Sequence, residues 1–297
     1  MISMQLTILA KSALMPPRVS LKRLLEDRGV TVDESTNLPV PKSLRHCRSG
    51  LRLSLTGNVA QLSQRDVVAS GLEDGVDANL QTTAERAVDI KLAVFDMDST
   101  LIQCEVIDEL AKQAGVGDRV VEITERAMRG ELDFDQSFRE RLGLLRGLDA
   151  RVVAEIASSL PLSEGAHELM LTLRARGVRT VILSGGFDVF AESVIGALKM
   201  DSYVANTLEI ADNKLTGRVI PPIVNADEKR ARLISLASSM SIDLSQTMAV
   251  GDGANDLKML ETARIGVAFR AKPVVREQAR YQLSHVGLEG ALYLLGE

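Results

Sequence analysis

Tryptophan is absent from this 297-residue chain, and aromatic residues make up only 3% of it. A protein that binds single-stranded nucleic acid needs aromatic faces for bases to stack on and a basic groove for phosphates. Neither is present, because the formal net charge is −5, and no nucleic-acid partner is expected. Cysteine is nearly as scarce. Cys47 and Cys104 are too few and too far apart for a disulfide framework or a zinc site, which fits a reducing, cytoplasmic setting. No stretch approaches the ~18 uninterrupted apolar residues of a membrane span, so no membrane partner is expected. Met1 to Ala10 is apolar but has no basic segment ahead of it and is broken by Gln5. It reads as a first strand, not a signal peptide. What the chain does have is 45% hydrophobic and 25% charged residues, enough for one large or two ordinary globular domains.

Residues 1–88 read differently from the remainder. Gln5 to Ala10, Val30 to Asp33, Leu51 to Leu55 and Val76 to Leu80 suit strands, while Leu21 to Arg28 and Ser63 to Leu72 suit helices. The order βαββαβ is that of a ferredoxin-like α+β domain, with a weak similarity to the amino-acid-binding ACT domains. Nothing in this segment carries binding chemistry by itself, so a packing or dimerisation module, compatible with a homodimer, is the plain reading. His46 and Cys47 are adjacent in a basic loop and are expected at the surface.

Residues 89–297 follow another pattern. Ile90 and the run Leu92 to Phe95 look like a buried strand of a parallel sheet. Four helical stretches follow, inserted at about 104–162 and punctuated by Gly115, Gly130 and Gly147, with Asp118, Asp135 and Asp149 as expected N-caps. Strands and helices then alternate. The strands are Arg179 to Leu183, a hairpin turning at Asp212-Asn213, Thr247 to Val250, and Ile265 to Phe269, and a last helix covers Leu288 to Leu295. The expectation is a doubly wound, Rossmann-like parallel sheet with a helical-bundle cap.

Polar residues gather where three strands stop: Asp96 and Asp98, then Ser184-Gly185-Gly186, then Gly251-Asp252-Gly253-Ala254-Asn255-Asp256. In a parallel sheet these ends share one edge, where ligands bind. Each segment alone also fits ordinary turn chemistry, since Asp, Ser and Thr bond back to their own backbone. Carboxylates from two strands brought together repel and need a cation. Oxygen ligands without His or Cys point to Mg²⁺. Lys229, near the start of a helix, reads by itself as a surface lysine.

Asp96-Met97-Asp98-Ser99-Thr100, Ser184-Gly185-Gly186, Lys229 and Gly251 to Asp256, in this order and spacing, resemble the four signature motifs of the haloacid dehalogenase superfamily. Glu105 ahead of Ile107-Asp108-Glu109, the run Arg126 to Phe134, and Arg141 are similar to the phosphoserine phosphatases within it. The resemblance spans residue 90 to the C-terminus. It implies Mg²⁺-dependent hydrolysis of O-phospho-L-serine, the last step of L-serine biosynthesis, with Asp96 as nucleophile and Asp98 as general acid and base. It also implies a metal held by Asp96, the Asp98 carbonyl, Asp252 and Asp256, and phosphoryl oxygens held by Ser184, Gly185 and Lys229. Glu105, Met128, Phe134, Arg141 and Asn255 would shape the substrate pocket. By periodicity alone, Glu105 and Arg141 are a helix cap and a solvated pairing residue. Asp98 excludes the ion-pumping ATPases, which carry Thr at that place; sugar-phosphate mutases keep both aspartates. Two alternatives are a phosphatase for another small phosphomonoester and an amino-acid-sensing protein with an inert phosphatase-like part.

Overall fold

The computed structural model describes residues 4–13, 15–41 and 44–295. The first unit is a four-stranded antiparallel sheet, β1 (Met4–Ala10), β2 (Val30–Asn37), β3 (Ser49–Gly57) and β4 (Asp77–Thr82), in the order β2-β3-β1-β4. Helices α1 (Val19–Asp27) and α2 (Gln64–Glu73) complete the βαββαβ order. They close one face, where Leu6, Ile8, Leu21, Leu25, Val67 and Ala78 are buried together.

The other face of this sheet is polar and nonetheless buried. Along β4 the side chains alternate, so Asp77, Asn79 and Gln81 point away from the helices and meet the second unit. The Asp77 carboxylate accepts the backbone N–H groups of Ser284, His285 and Val286 at 2.6, 3.0 and 2.9 Å. The Asn79 amide donates to the Gln282 carbonyl at 2.9 Å, and that of Gln81 to the Leu294 carbonyl at 3.0 Å. Cys47 lies in this interface rather than at the surface. It is buried, and burial, with Glu289 and Asp77 nearby, pushes its thiol up to about 12. The His46 N–H donates to Glu289 at 3.1 Å. The expected exposed loop is therefore an inter-unit contact.

After the short α3 (Thr83–Arg86), the second unit begins with β5 (Leu92–Phe95). The cap follows as α4 (Val106–Gln113), α5 (Gly117–Met128), α6 (Phe134–Gly143) and α7 (Ala150–Ala157). Asp149 caps α7 as expected, whereas α6 is capped by Asp133 in a capping box with Gln136. Asp135 and Asp118 fall inside the first turns of α6 and α5 instead, where their charge meets the positive end of the helix dipole.

The remaining elements are α8 (Ala166–Ala175), β6 (Arg179–Phe187), α9 (Asp188–Leu198), β7 (Ser202–Ala211), β8 (Lys214–Ile220), α10 (Ala226–Ser239), β9 (Thr247–Gly251), α11 (Leu257–Thr262), β10 (Ile265–Phe269), α12 (Pro273–Gln278) and β11 (Tyr281–Leu283). Their seven-stranded sheet runs β11-β10-β9-β5-β6-β7-β8 and is parallel except for the β7–β8 hairpin. Asp212 and Asn213 turn that hairpin with φ of 50° and 59°, the paired left-handed conformation of a type I′ turn. Along β5, Leu92 and Val94 enter one core while Ala93 and Phe95 enter the other, which is what helices on both faces require. The expected terminal helix is a 3₁₀ segment, Leu288–Leu294. The chain order reverses at β5, so the edge beyond Phe95 is the switch point where α/β sheets bind ligands.

Candidate active site

Asp96 leaves the end of β5 with its backbone N–H bonded to the Val250 carbonyl of β9 at 2.9 Å. Its Oδ1 accepts the Met97 N–H at 2.7 Å and lies 2.9 Å from Lys229 Nζ. Asp98 lies against β6, where a Cβ on Gly186 would stand 2.8 Å from its Oδ2, and the chain then turns through Ser99 at φ 55°. Lys229, which by itself reads as a surface residue, is fully buried near the start of α10 and also meets Asp256 Oδ1 at 2.7 Å. Burial opposes its charge, but Asp256 and Asp96 outweigh that effect and hold its pKa above the ordinary lysine value.

The β9 loop is packed around Asp256. Its Oδ2 accepts the N–H groups of Asp252 and Gly253 at 3.1 and 2.9 Å. A Cβ on Gly251 would sit 2.5 Å from that carboxylate, so only glycine lets the loop close on it. Carboxylate oxygens of Asp96, Asp252 and Asp256 lie within 4.8 Å of one another, all buried. With Lys229 as the one buried cation against them among the described residues, charge is left over. Burial, then Asp96 and Asp256, push Asp252 up to about 8, and burial and Asp96 push Asp256 up to about 6 against the pull of Lys229. An acidic cluster that resists ionisation in this way fits a divalent cation held by oxygen ligands.

Asp98 stands apart from that cluster. Burial, then Glu105 and Asp96, raise its pKa well above the carboxylate range, and its buried Oδ1 has no hydrogen-bond partner among the described residues. A carboxyl whose pKa is raised, beside a second carboxyl held by a lysine, is the arrangement of a general acid next to a nucleophile.

A cavity of about 630 Å³ opens over these groups, lined by Asp96, Asp98, Ser184, Gly185, Asp252 and Asn255 from the sheet edge and by Glu105, Phe134 and Arg141 from the cap. Phe134 stacks on Phe138 with ring centres 6.0 Å apart. Glu105 accepts the Ser99 hydroxyl at 2.8 Å. Arg141 makes no ion pair among the described residues, and burial lowers its pKa. Of the candidate site residues singled out in the sequence, only the Met128 side chain lies outside those described; residues 1–3 of the expected first strand Met1 to Ala10 also lie outside them. The strand does not stop at Ser184 to Gly186: β6 continues through them to Phe187, and α9 begins at the next residue. They bulge from the ladder instead: Leu183 pairs with Val204, and the next pair is Phe187 with Asn206.

The sequence reading assigns no role to three site residues. Thr100 donates its hydroxyl to Asp252 Oδ1 at 3.2 Å. Lys272 reaches from the loop after β10 to within 3.9 Å of both Glu105 and Asp252. Asn206 bonds the Gly185 carbonyl at 2.7 Å and the Val224 N–H at 2.9 Å. Thr100 adjoins Asp96 and Asp98, whereas the other two stand far from every motif and become visible only through the sheet register.

Residues 93–261 match the family model of the haloacid dehalogenase-like hydrolases. The phosphoserine phosphatase of Streptomyces coelicolor is 48% identical over 221 residues, 74% of this chain and 53% of that protein. The chain thus spans about half the length of that relative. The phosphoserine phosphatase of Streptococcus thermophilus is 47% identical over 206 residues, covering 69% of this chain and 96% of that one. A crystal structure of a HAD-family hydrolase from Salmonella enterica serovar Typhi superposes with a TM-score of 0.84 at 32% identity, covering 99% of each chain. That match includes the N-terminal sheet, which lies outside the motif-bearing region. No helix among the described residues is long and apolar enough to cross a membrane.

Proposed function

The chain belongs to the haloacid dehalogenase-like hydrolases, and we propose that it hydrolyses O-phospho-L-serine to L-serine and phosphate through a phosphoaspartyl intermediate. The supporting observation is one cavity in which Asp96, a raised-pKa Asp98, Glu105 and Arg141 converge. A seryl phosphate carries an ammonium and a carboxylate beside its phosphoryl group. Glu105 and Arg141 offer the opposite charges on the cap side, and Phe134 supplies an apolar wall.

Asp96 Oδ1 is engaged by Lys229 and the Met97 N–H, so Oδ2 is the oxygen that attacks phosphorus. As the P–O bond to serine breaks, Asp98 gives its proton to the leaving oxygen. Asp98, now a carboxylate, takes a proton from water. The water oxygen attacks the phosphoaspartate, and the P–O bond to Asp96 breaks to free phosphate. Ser184, Gly185 and Lys229 hold the phosphoryl oxygens, and Asn255 flanks them. Asp96, Asp252, Asp256 and the Asp98 carbonyl would hold Mg²⁺, which neutralises phosphoryl charge when bound.

The division at 1–88 and 89–297, with the cap at about 104–162, belongs to the same reading, as does a cytoplasmic enzyme with residues 1–88 serving as a dimerisation or ligand-sensing module. The intact set Asp96, Asp98, Lys229 and Asp252 argues against an inert phosphatase-like part. Protein stripped with EDTA is expected to release no phosphate from O-phospho-L-serine and to recover with added Mg²⁺. Full activity after stripping would overturn the metal's part in this reading.

A further inference from the structure

In a regular parallel ladder alternate β6 carbonyls find a β7 partner and the others face β5. Here three residues of β6, Ser184, Gly185 and Gly186, stand opposite the single Ala205. The bulge turns these residues toward the cavity, and it takes the Gly185 carbonyl out of the ladder. A half-buried carbonyl without a partner is costly, so something must replace the missing N–H.

Asn206 replaces it. Its side chain is 1% exposed, and both ends of the amide are used. Nδ2 donates to the Gly185 carbonyl at 2.7 Å, and Oδ1 accepts the Val224 N–H at 2.9 Å. Val224 immediately precedes Asn225, whose side chain caps α10 by accepting the Asp227 and Glu228 N–H groups at 3.1 and 3.2 Å. The Lys229 N–H bonds back to the Asn225 carbonyl at 2.9 Å. One amide therefore joins the bulge that carries Ser184 and Gly185 to the start of the helix that carries Lys229. The space is already filled: a Cβ on Gly185 would stand 3.3 Å from the Val224 carbonyl and 3.2 Å from the Phe134 ring.

We propose that Asn206 is a positioning residue for phosphoryl binding: its amide fixes the Ser184–Gly186 bulge at a set distance from Lys229, so that both grip the same phosphoryl group. This rests on the reading of Ser184, Gly185 and Lys229 as phosphoryl-holding groups. Asn206 itself is not among the residues that line the cavity. Its role is to hold donors where preorganisation counts.

The test is direct binding of inorganic phosphate to the full chain with Mg²⁺, by calorimetry, for the wild type, N206D and N206A. N206D keeps the shape and the acceptor toward Val224 but sets an oxygen against the Gly185 carbonyl. At about pH 8, N206D is expected to bind phosphate roughly tenfold more weakly than the wild type, the cost of one well-aligned hydrogen bond turned repulsive. Near pH 5 the introduced carboxyl protonates and can donate again, so the ratio to the wild type at the same pH is expected to fall to about twofold. N206A, with no donor, is expected to stay weak at both pH values. Phosphate affinity in N206D equal to wild type at about pH 8 would overturn the proposal. So would a deficit of the same size at both pH values in N206D, which would mark a purely structural role. If N206A fails to fold, the two arms of N206D decide alone. A wild type that binds phosphate without hydrolysing O-phospho-L-serine would remove the substrate reading and leave this inference standing. A wild type that binds no phosphate would remove both.

Discussion

The Lys229 ammonium stands 2.9 Å from Asp96 Oδ1, with no exposure to solvent. A lysine this deeply buried is tolerated because Asp256 meets it from the other side at 2.7 Å. The pairing does two things at once. On the proposed reading, it leaves Asp96 Oδ2 as the oxygen free to react and places a cation where phosphoryl charge would be held.

Replacing Lys229 with methionine keeps the stem and removes the charge, leaving Asp96 and Asp256 facing each other. Loss of one partner of a buried pair costs about 3–5 kcal/mol, and loss of one charge-stabilising donor costs about 10²–10³ in kcat. Urea melts and phosphate-release assays of K229M are expected to show both losses. A variant with wild-type kcat would detach Lys229 from catalysis.

Asp252 gives a pH prediction whose sign can be worked out. Its folded pKa, about 8, lies above the ordinary 3.8, so the folded state binds the proton more tightly. Its contribution to metal-free stability is therefore greatest at low pH and falls as pH rises from about 4 through 8, by at most about 1.4 kcal/mol per pH unit. A bound divalent cation favours the ionised form and reverses the trend. Thermal melts with and without Mg²⁺ are expected to show a larger stabilisation by metal near pH 8 than near pH 5. An equal shift at both would contradict the assignment of this cluster to a cation.

Arg141→Ala removes the guanidinium that would meet a substrate carboxylate. A charge-assisted hydrogen bond is worth about 1.5–3 kcal/mol, so kcat/KM for O-phospho-L-serine is expected to fall by roughly ten- to a hundredfold. An aryl phosphate, which lacks the carboxylate, should be nearly unaffected. Equal losses on both substrates would move specificity away from Arg141.

Asp77 is distant from the chemistry yet ties the two units through the N–H groups of Ser284, His285 and Val286. Asp77→Ala leaves three donors unmet in a buried interface. Stability by urea melt is expected to drop by about 2–4 kcal/mol, while kcat at saturating substrate stays within about twofold. A stability unchanged by D77A would show that the interface is held by other contacts.

The motifs were legible because their chemistry is local. Asp96 and Asp98 adjoin a buried strand, and Asp252 to Asp256 close a glycine loop that admits nothing larger. The N-terminal strand and helix order was legible from alternation along β1 and β4. The burial of Lys229 was not legible from α10 itself, since it follows from two carboxylates delivered by other strands. Cys47 reads as an exposed loop residue because its neighbours in sequence are basic, and only the docking of Asp77 and Glu289 around it makes it buried. Asn206 gave no signal at all. Its importance comes from a bulge in the strand beside it, and a bulge is a property of two strands in register.

The most direct test of the central claim is kcat/KM with Mg²⁺ for O-phospho-L-serine, O-phospho-L-threonine and a sugar phosphate on the same preparation. On the proposed reading Glu105 and Arg141 meet groups that the sugar phosphate lacks, so O-phospho-L-serine is expected to be preferred over it by about a hundredfold or more. The extra methyl of phosphothreonine should cost about tenfold through crowding in the Phe134-lined cavity. A sugar phosphate turned over as well as O-phospho-L-serine would contradict the account.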